Sequence, residues 1–438
     1  MTSPTAAHGL DVAAVRDHFP SLRRTVAGRS VAYLDGPGGT QVPAACIDAI
    51  ATYLRTSNAN LGGPFAASQE SVALVDEAHA ATADFLGGVA PEEVVFGPNM
   101  TTLTFAVSRA IGRDLRPGDE VLVSRLDHDA NVAPWLAMAE ERDLRVRWIE
   151  VRADDCTLEL DGLESLISAR TRLVAVGLAS NAVGTINHVE RIGRAAHAAG
   201  ALLFVDAVHA APHLPLDPRA LGADLLACSP YKFFGPHLGV LYGRRELLER
   251  LVAYRVRPAG EALPGKWETG TQPHELLAGL LGTYGYLASL GRAYGGAGRD
   301  DGRRAALRAS LEAIGAYERQ LIGPLLEGLS GLPGCTVYGI SDPRRFEERV
   351  PTVSFRLDGV TPRRVAEHLA ERAISVWDGD YYAVELARTL GVADDGGMVR
   401  VGLVHYNTPE EVARLVAALE ELGEGERRRQ ATHPGPAS

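Results

Sequence analysis

The sequence predicts an α/β fold, with a mainly parallel seven-stranded sheet in a large domain and a smaller α+β domain towards the C-terminus. Three observations carry this expectation. The chain has 438 residues, more than one hydrophobic core usually fills. Its composition, 46% hydrophobic and 23% charged, is that of a globular protein and excludes a fibrous or largely disordered one. Short runs rich in Val and Leu alternate with amphipathic stretches, the pattern of βαβ units whose strands are covered on both faces.

In chain order, residues 1–32 form an N-terminal segment expected to pack on the small domain. The large domain spans 33–290. Its strands are predicted at Glu93–Phe96, Glu120–Ser124, Arg145–Val151, Arg172–Leu178, Ala201–Val205, Asp224–Cys228 and Gly239–Tyr242, each a short apolar run. Helical periodicity falls between them at Asn131–Arg142, Gly162–Ala169 and Val189–Ala199. Gly291–Arg304, with five glycines and mixed charge, reads as a boundary. The small domain, 291–422, follows as helix Ala305–Leu329, strands Cys335–Tyr338 and Thr352–Leu357, helix Thr361–Arg372, strands Ile374–Trp377 and Met398–Val404, and a helix from Pro409 to Leu422. The tail 423–438, with three consecutive arginines and two prolines, is expected to be disordered.

Charge and cysteine usage narrow the function classes. With 44 basic against 55 acidic residues the net charge is −11, which disfavours nucleic acid and anionic membrane surfaces as partners. There is no secretory leader pattern and no apolar run of about 18 residues, so a cytoplasmic protein is expected. Cys46, Cys156, Cys228 and Cys335 form no CxxC pair and no short Cys/His spacing, which argues against a metal knuckle or a disulfide framework. Only two of the basic residues, Lys232 and Lys266, are lysines. Arginine stays protonated, so chemistry needing an amine must use one of these two or the chain terminus.

Candidate chemistry collects where predicted strands end. Lys232, in Ser229-Pro-Tyr-Lys-Phe-Phe, leaves the carboxyl end of a strand, where open α/β sheets place their ligand crevice. Desolvated among Tyr231, Phe233 and Phe234 it can form a Schiff base; the alternative is a loop lysine reaching solvent. Asp206 ends an apolar strand and suits either a protonated ring nitrogen of a cofactor or a helix cap. Asn99-Met100-Thr101-Thr102 joins a strand to a helix, as a phosphate site or as a plain cap. His128, in Leu126-Asp-His-Asp, either stacks on a flat ring or is simply solvated. Asn181 sits in Ser180-Asn-Ala-Val-Gly, a turn able to donate a hydrogen bond to a phenolic oxygen. Arg400 lies inside an apolar strand, so it needs an anion there, either a substrate carboxylate or an internal partner. No GxGxxG opens the first βα unit and no GxxxxGK[ST] is present, which removes the main support for a nucleotide site.

In this order the motifs resemble the class V aminotransferase group of fold-type I enzymes dependent on pyridoxal 5'-phosphate, and within it the cysteine desulfurase-like proteins. The resemblance spans Tyr33 to Leu422. It implies that Lys232 holds the cofactor, Asp206 pairs with its ring nitrogen and His128 stacks over it. Asn181, and His209 where many relatives have Gln, would approach the phenolic oxygen. Met100, Thr101, Ser229 and Tyr231 would hold the phosphate together with Thr271, which reaches across from a partner subunit; a homodimer with a shared active site follows. Arg400 would bind the carboxylate of a small amino-acid substrate. Desulfurases of this group carry a cysteine on a small-domain loop that attacks the substrate sulfur. Here that stretch is Ser375-Val-Trp-Asp-Gly-Asp-Tyr-Tyr-Ala, without cysteine, and Trp377 and Tyr381 are expected to meet the substrate instead. The expected activity is a lyase acting on a Cβ substituent of C–S type, through a Schiff base of substrate and cofactor. The alternatives are an amino-acid epimerase, an aminotransferase, or a catalytically silent regulatory protein of the same fold.

Overall fold

The computed structural model describes residues 9–432. All seven expected strands of the large sheet form, with no end shifted by more than two residues: β1 (Val94–Gly97), β2 (Glu120–Ser124), β3 (Arg145–Ile149), β4 (Thr171–Gly177), β5 (Leu202–Asp206), β6 (Leu225–Cys228) and β7 (Gly239–Gly243). Their spatial order is β1-β7-β6-β5-β4-β2-β3. Strands β2 to β6 run parallel, while β7 is antiparallel to both β1 and β6. Strands β4 to β6 are buried almost throughout, because helices cover both faces, and this is why they read as apolar runs without alternation. Register sets Gly177 beside Asp206 and Asp206 beside Ala227, so the residues that follow these strands emerge at one edge.

The small domain is a four-stranded antiparallel sheet of β8 (Cys335–Tyr338), β9 (Thr352–Leu357), β10 (Trp377–Gly379) and β11 (Met398–Gly402), in the order β8-β9-β11-β10. The predicted strand Ile374–Trp377 is divided. Ile374–Ser375 pairs in parallel with Ala32–Tyr33, whereas Trp377–Gly379 joins β11. The N-terminal segment bridges both domains: Leu10 and Val12 pack on the small core, while Val15, Phe19 and Leu22 enter the large one.

Two expectations are corrected. The glycine-rich stretch at 291, read as a boundary, begins inside a helix and packs it tightly on the next one. Helix His274–Tyr294 runs into it and lies against helix Arg303–Gly331 so closely that a Cβ on Gly291 would stand 1.9 Å from the Ala306 carbonyl oxygen. The change of core falls inside the second helix, where Ile314 belongs to the large cluster and Tyr317 to the small. The tail is also not disordered from 423: the last helix runs Pro409–Thr432, since isolated Gly423 and Gly425 do not outweigh helix-forming Glu, Leu and Arg. Residues 433–438 of that expectation lie outside the described residues. No helix among the described residues is long and apolar enough to cross a membrane.

Candidate active site

The carboxyl ends of β1, β2, β4, β5 and β6 surround one cavity. It gathers nine of the residues singled out in the sequence: Met100, Thr101 and His128 on one side, Asn181 and Asp206 at the sheet edge, and His209, Ser229, Tyr231 and Lys232 beyond. Lys232 ends a tight turn that follows β6, with its amide bonded to the Ser229 carbonyl at 3.0 Å. Phe233 and Phe234 behind it are fully buried. Phe234 has φ 70°, held there by a 2.8 Å bond from its N–H to Thr40 Oγ1. The Lys232 ammonium donates to the Pro37 carbonyl at 2.5 Å. At the opposite wall Asn99 caps the 13-residue helix Met100–Gly112 through a 2.8 Å bond from Thr102 N–H, and the Met100 amide donates to Ser229 Oγ at 3.2 Å. These groups form the positive end of a helix dipole facing the cavity.

Desolvation governs the electrostatics. Burial pulls the Lys232 amine down to about 7, Arg400 adds to this and Asp206 opposes it. Burial pushes Asp206 up to about 6, against a 2.8 Å bond from Val208 N–H and the Lys232 charge. His128 falls to about 4 through burial, then Lys232 and Arg400. His209 is held well below its ordinary range, by burial first and then by His213, Arg400, Lys232 and His128.

Arg400 settles next to this cavity rather than in its wall. From β11 its Nη1 donates to the Asn181 carbonyl at 3.0 Å, and its guanidinium lies 4.3 Å from the Tyr381 ring centre. It is 5% exposed and its Nε has no hydrogen-bond partner among the described residues. Burial pulls it down to about 10, with Tyr381 and Asp35 opposing. No carboxylate stands within ion-pair distance of it among the described residues, so the internal salt bridge considered for Arg400 is not formed.

The loop after β10 closes over the same region. Tyr381 and Tyr382 both have positive φ, 55° and 60°, a costly pair for non-glycine residues. Four bonds hold them: Asn181 Nδ2 to the Tyr381 carbonyl at 3.0 Å, Asp129 N–H to the Tyr382 carbonyl at 2.7 Å, Tyr382 N–H to Asp380 at 2.9 Å, and Tyr381 hydroxyl to the Met398 carbonyl. Tyr382 stacks on His128 with ring centres 5.4 Å apart. Trp377 packs against Gly38, where a Cβ would lie 2.2 Å from the indole nitrogen. Thr271 does not reach this cavity; it lines a separate groove with Pro98, Thr102 and Trp267.

Sequence reasoning missed Asp127, a buried carboxylate in the wall. It accepts from Gly177 N–H at 2.7 Å and Asn131 Nδ2 at 3.2 Å, and burial with the nearby Asp206 pushes it up to about 8. Its place directly before His128, with Asn131 one helical turn on, was the available signal. Lys266, the other lysine, lies outside this cavity: it is 5% exposed, and its ammonium donates to the Leu248 and Glu249 carbonyls at 3.1 and 2.6 Å, closing the end of helix Arg245–Arg250.

Residues 32–294 and 303–415 match the family model described as aminotransferase class-V. The chain belongs to this family. It is 34% identical to the aminotransferase-like protein FGM3 of Gibberella zeae over 93% of this chain and 97% of that one. It is 32% identical to a probable cysteine desulfurase of Streptomyces coelicolor, covering 94% and 97%. Of solved structures, the cysteine desulfurase of Thermococcus onnurineus is similar with a TM-score of 0.83 at 28% identity, over 96% of this chain and all of that one. The fold is therefore fold-type I, and the class V protein is an enzyme that depends on pyridoxal 5'-phosphate.

Proposed function

We propose that this class V protein is a lyase that removes a Cβ substituent, sulfur in the first instance, from a small amino acid without forming a protein persulfide. The residues present fit pyridoxal 5'-phosphate. Lys232 supplies an amine that is half unprotonated near neutrality, Asp206 a buried carboxylate for the ring nitrogen, and His128 a flat neutral ring. The Met100 and Thr101 amides with Ser229 and Tyr231 would hold the phosphate; Asn181, whose Oδ1 is buried without a partner among the described residues, lies beside His209. When bound, the cofactor withdraws electrons from the substrate Cα and makes its proton acidic.

The observation that carries the reading is a buried Arg400, with no carboxylate within ion-pair distance among the described residues, next to the cavity that holds Lys232 and that no cysteine lines. Arg400 and the Tyr381 ring would fix the substrate carboxylate, and Trp377 with Tyr382 would border its side chain. Once displaced, Lys232 Nζ takes the Cα proton and can return it. The sulfur must leave uncaptured: Cys46, Cys156 and Cys228 are buried and none of them lines the cavity, and Cys335 sits on β8, at the opposite edge of the small sheet from β10. Several relatives are named cysteine desulfurases, which supports a sulfur substituent as the leaving group.

A panel of L-amino acids with the cofactor-loaded enzyme tests this. Pyruvate together with sulfide or a free thiol is the expected result. Conversion to the amine form of the cofactor, or racemisation with deuterium uptake at Cα and no release, overturns the lyase. We also propose a homodimer in which Thr271 completes the partner's phosphate site, supported by its position outside its own cavity.

A further inference from the structure

Directly behind the cavity lies a buried pair of titratable groups that the chemistry above does not use. His209 and His213 are four residues apart on the turn that follows β5, so their rings share one side of it, 5.5 Å between centres and edge to face. His213 Nδ1 is 2.8 Å from Glu318 Oε2 on helix Arg303–Gly331, and their side chains are 3% and 2% exposed. Glu318 Oε1 is buried without a partner among the described residues. His213 and Glu318 line a cavity of about 20 Å³, which has room for one water molecule. On its other side His209 Nε2 lies 3.0 Å from Thr352 Oγ1.

A carboxylate buried this deeply is costly unless a proton or a cation accompanies it. The groups facing the pair are His209, His405, Arg319 and Arg349, with the His405 amide bonded to Glu318. Facing His209 from the cavity side are Lys232, Arg400 and His128. A helix anchor needs no imidazole set against the back of another imidazole that borders the active cavity; a bond to any backbone carbonyl would serve.

We propose that His213 and Glu318 are a positioning pair that braces His209 as a neutral ring, with Thr352 donating to Nε2 and the ring proton kept on Nδ1 for the cofactor's phenolic oxygen. Glu318 accepts from His213 Nδ1–H and fixes that ring. The His213 ring in turn bars His209 from turning away and from taking a second proton. This rests on the reading above in one respect, that His209 borders the cofactor.

Two measurements test it. The first is the pH midpoint of the visible band of the lysine-bound cofactor in holoenzyme. Glu318→Gln and His213→Asn should move it by about 0.5 pH unit or more, a roughly three-fold change in proton affinity, while Arg308→Gln on the same helix leaves it in place. Variants that load the cofactor and keep the wild-type midpoint would make the pair structural only. The second covers variants that fail to fold: ring ¹⁵N resonances of the histidines in wild-type, cofactor-free protein. His209 should remain neutral with its proton on Nδ1 from about pH 6 to 8; a cationic ring or a proton on Nε2 overturns the proposal. A wild-type protein with no visible band would count against the cofactor roles instead, and the resonances still decide the pair.

Discussion

Lys232 illustrates how much a single residue gains from its surroundings. Model lysine is almost wholly protonated at neutrality, and only the free amine attacks a carbonyl. Burial between Tyr231 and Phe233, with Arg400 near, brings Lys232 down to about 7, so the reactive form becomes abundant around neutral pH. Cofactor capture by the cofactor-free enzyme, followed by its visible absorption, should therefore accelerate with pH up to a midpoint near 7 and then level off. Acceleration continuing towards pH 10 would mean an ordinary lysine. Lys232→Ala should abolish the band, whereas Lys266→Met should keep it, since that ammonium is committed to the carbonyls ending helix Arg245–Arg250.

Helices in this protein are positioned by what they omit as much as by their apolar faces. His274–Tyr294 is buried on most sides and carries glycines that differ sharply in role. A Cβ at Gly291 would strike the Ala306 carbonyl oxygen, and one at Gly295, just past the helix end, would come within 2.3 Å of the Ala309 carbonyl oxygen, yet at Gly285 nothing lies within 4 Å. Gly291→Ala should cost about 1–3 kcal/mol by forcing the helices apart. Gly285→Ala should instead stabilise by about 0.5–1 kcal/mol, because it removes backbone freedom from the unfolded chain. Urea unfolding of both variants checks this pair, and equal effects of one sign would refute the packing account.

At the scale of the whole molecule, two cores meet at the cavity. The large sheet supplies Lys232, Asp206 and His128; the small domain supplies Arg400 and the Tyr381–Tyr382 loop, tied across by Asn181 and Asp129. Thr271, outside its own cavity, supplies the reason to expect a second chain. If sites are shared, Lys232→Ala and Thr271→Trp proteins, each inactive, should regain roughly a quarter of wild-type activity after mixed refolding, because half the dimers then hold one complete site of two. No recovery, with mixed dimers demonstrated by a tag, would place Thr271 outside the site.

The sequence by itself determined the seven strands and the order of motifs at their carboxyl ends, Lys232 among them, because burial on both faces and turn chemistry leave local marks in the chain. It also shows that residues 375–383 contain no cysteine. Tertiary structure decided the rest. It alone left Arg400 without a carboxylate at ion-pair distance among the described residues, split 374–377 between two partners, packed Gly291 against Ala306, and set His213 against Glu318, 105 residues away. These outcomes depend on which distant groups share a desolvated space, and periodicity along the chain records that a residue is buried without recording what it is buried against.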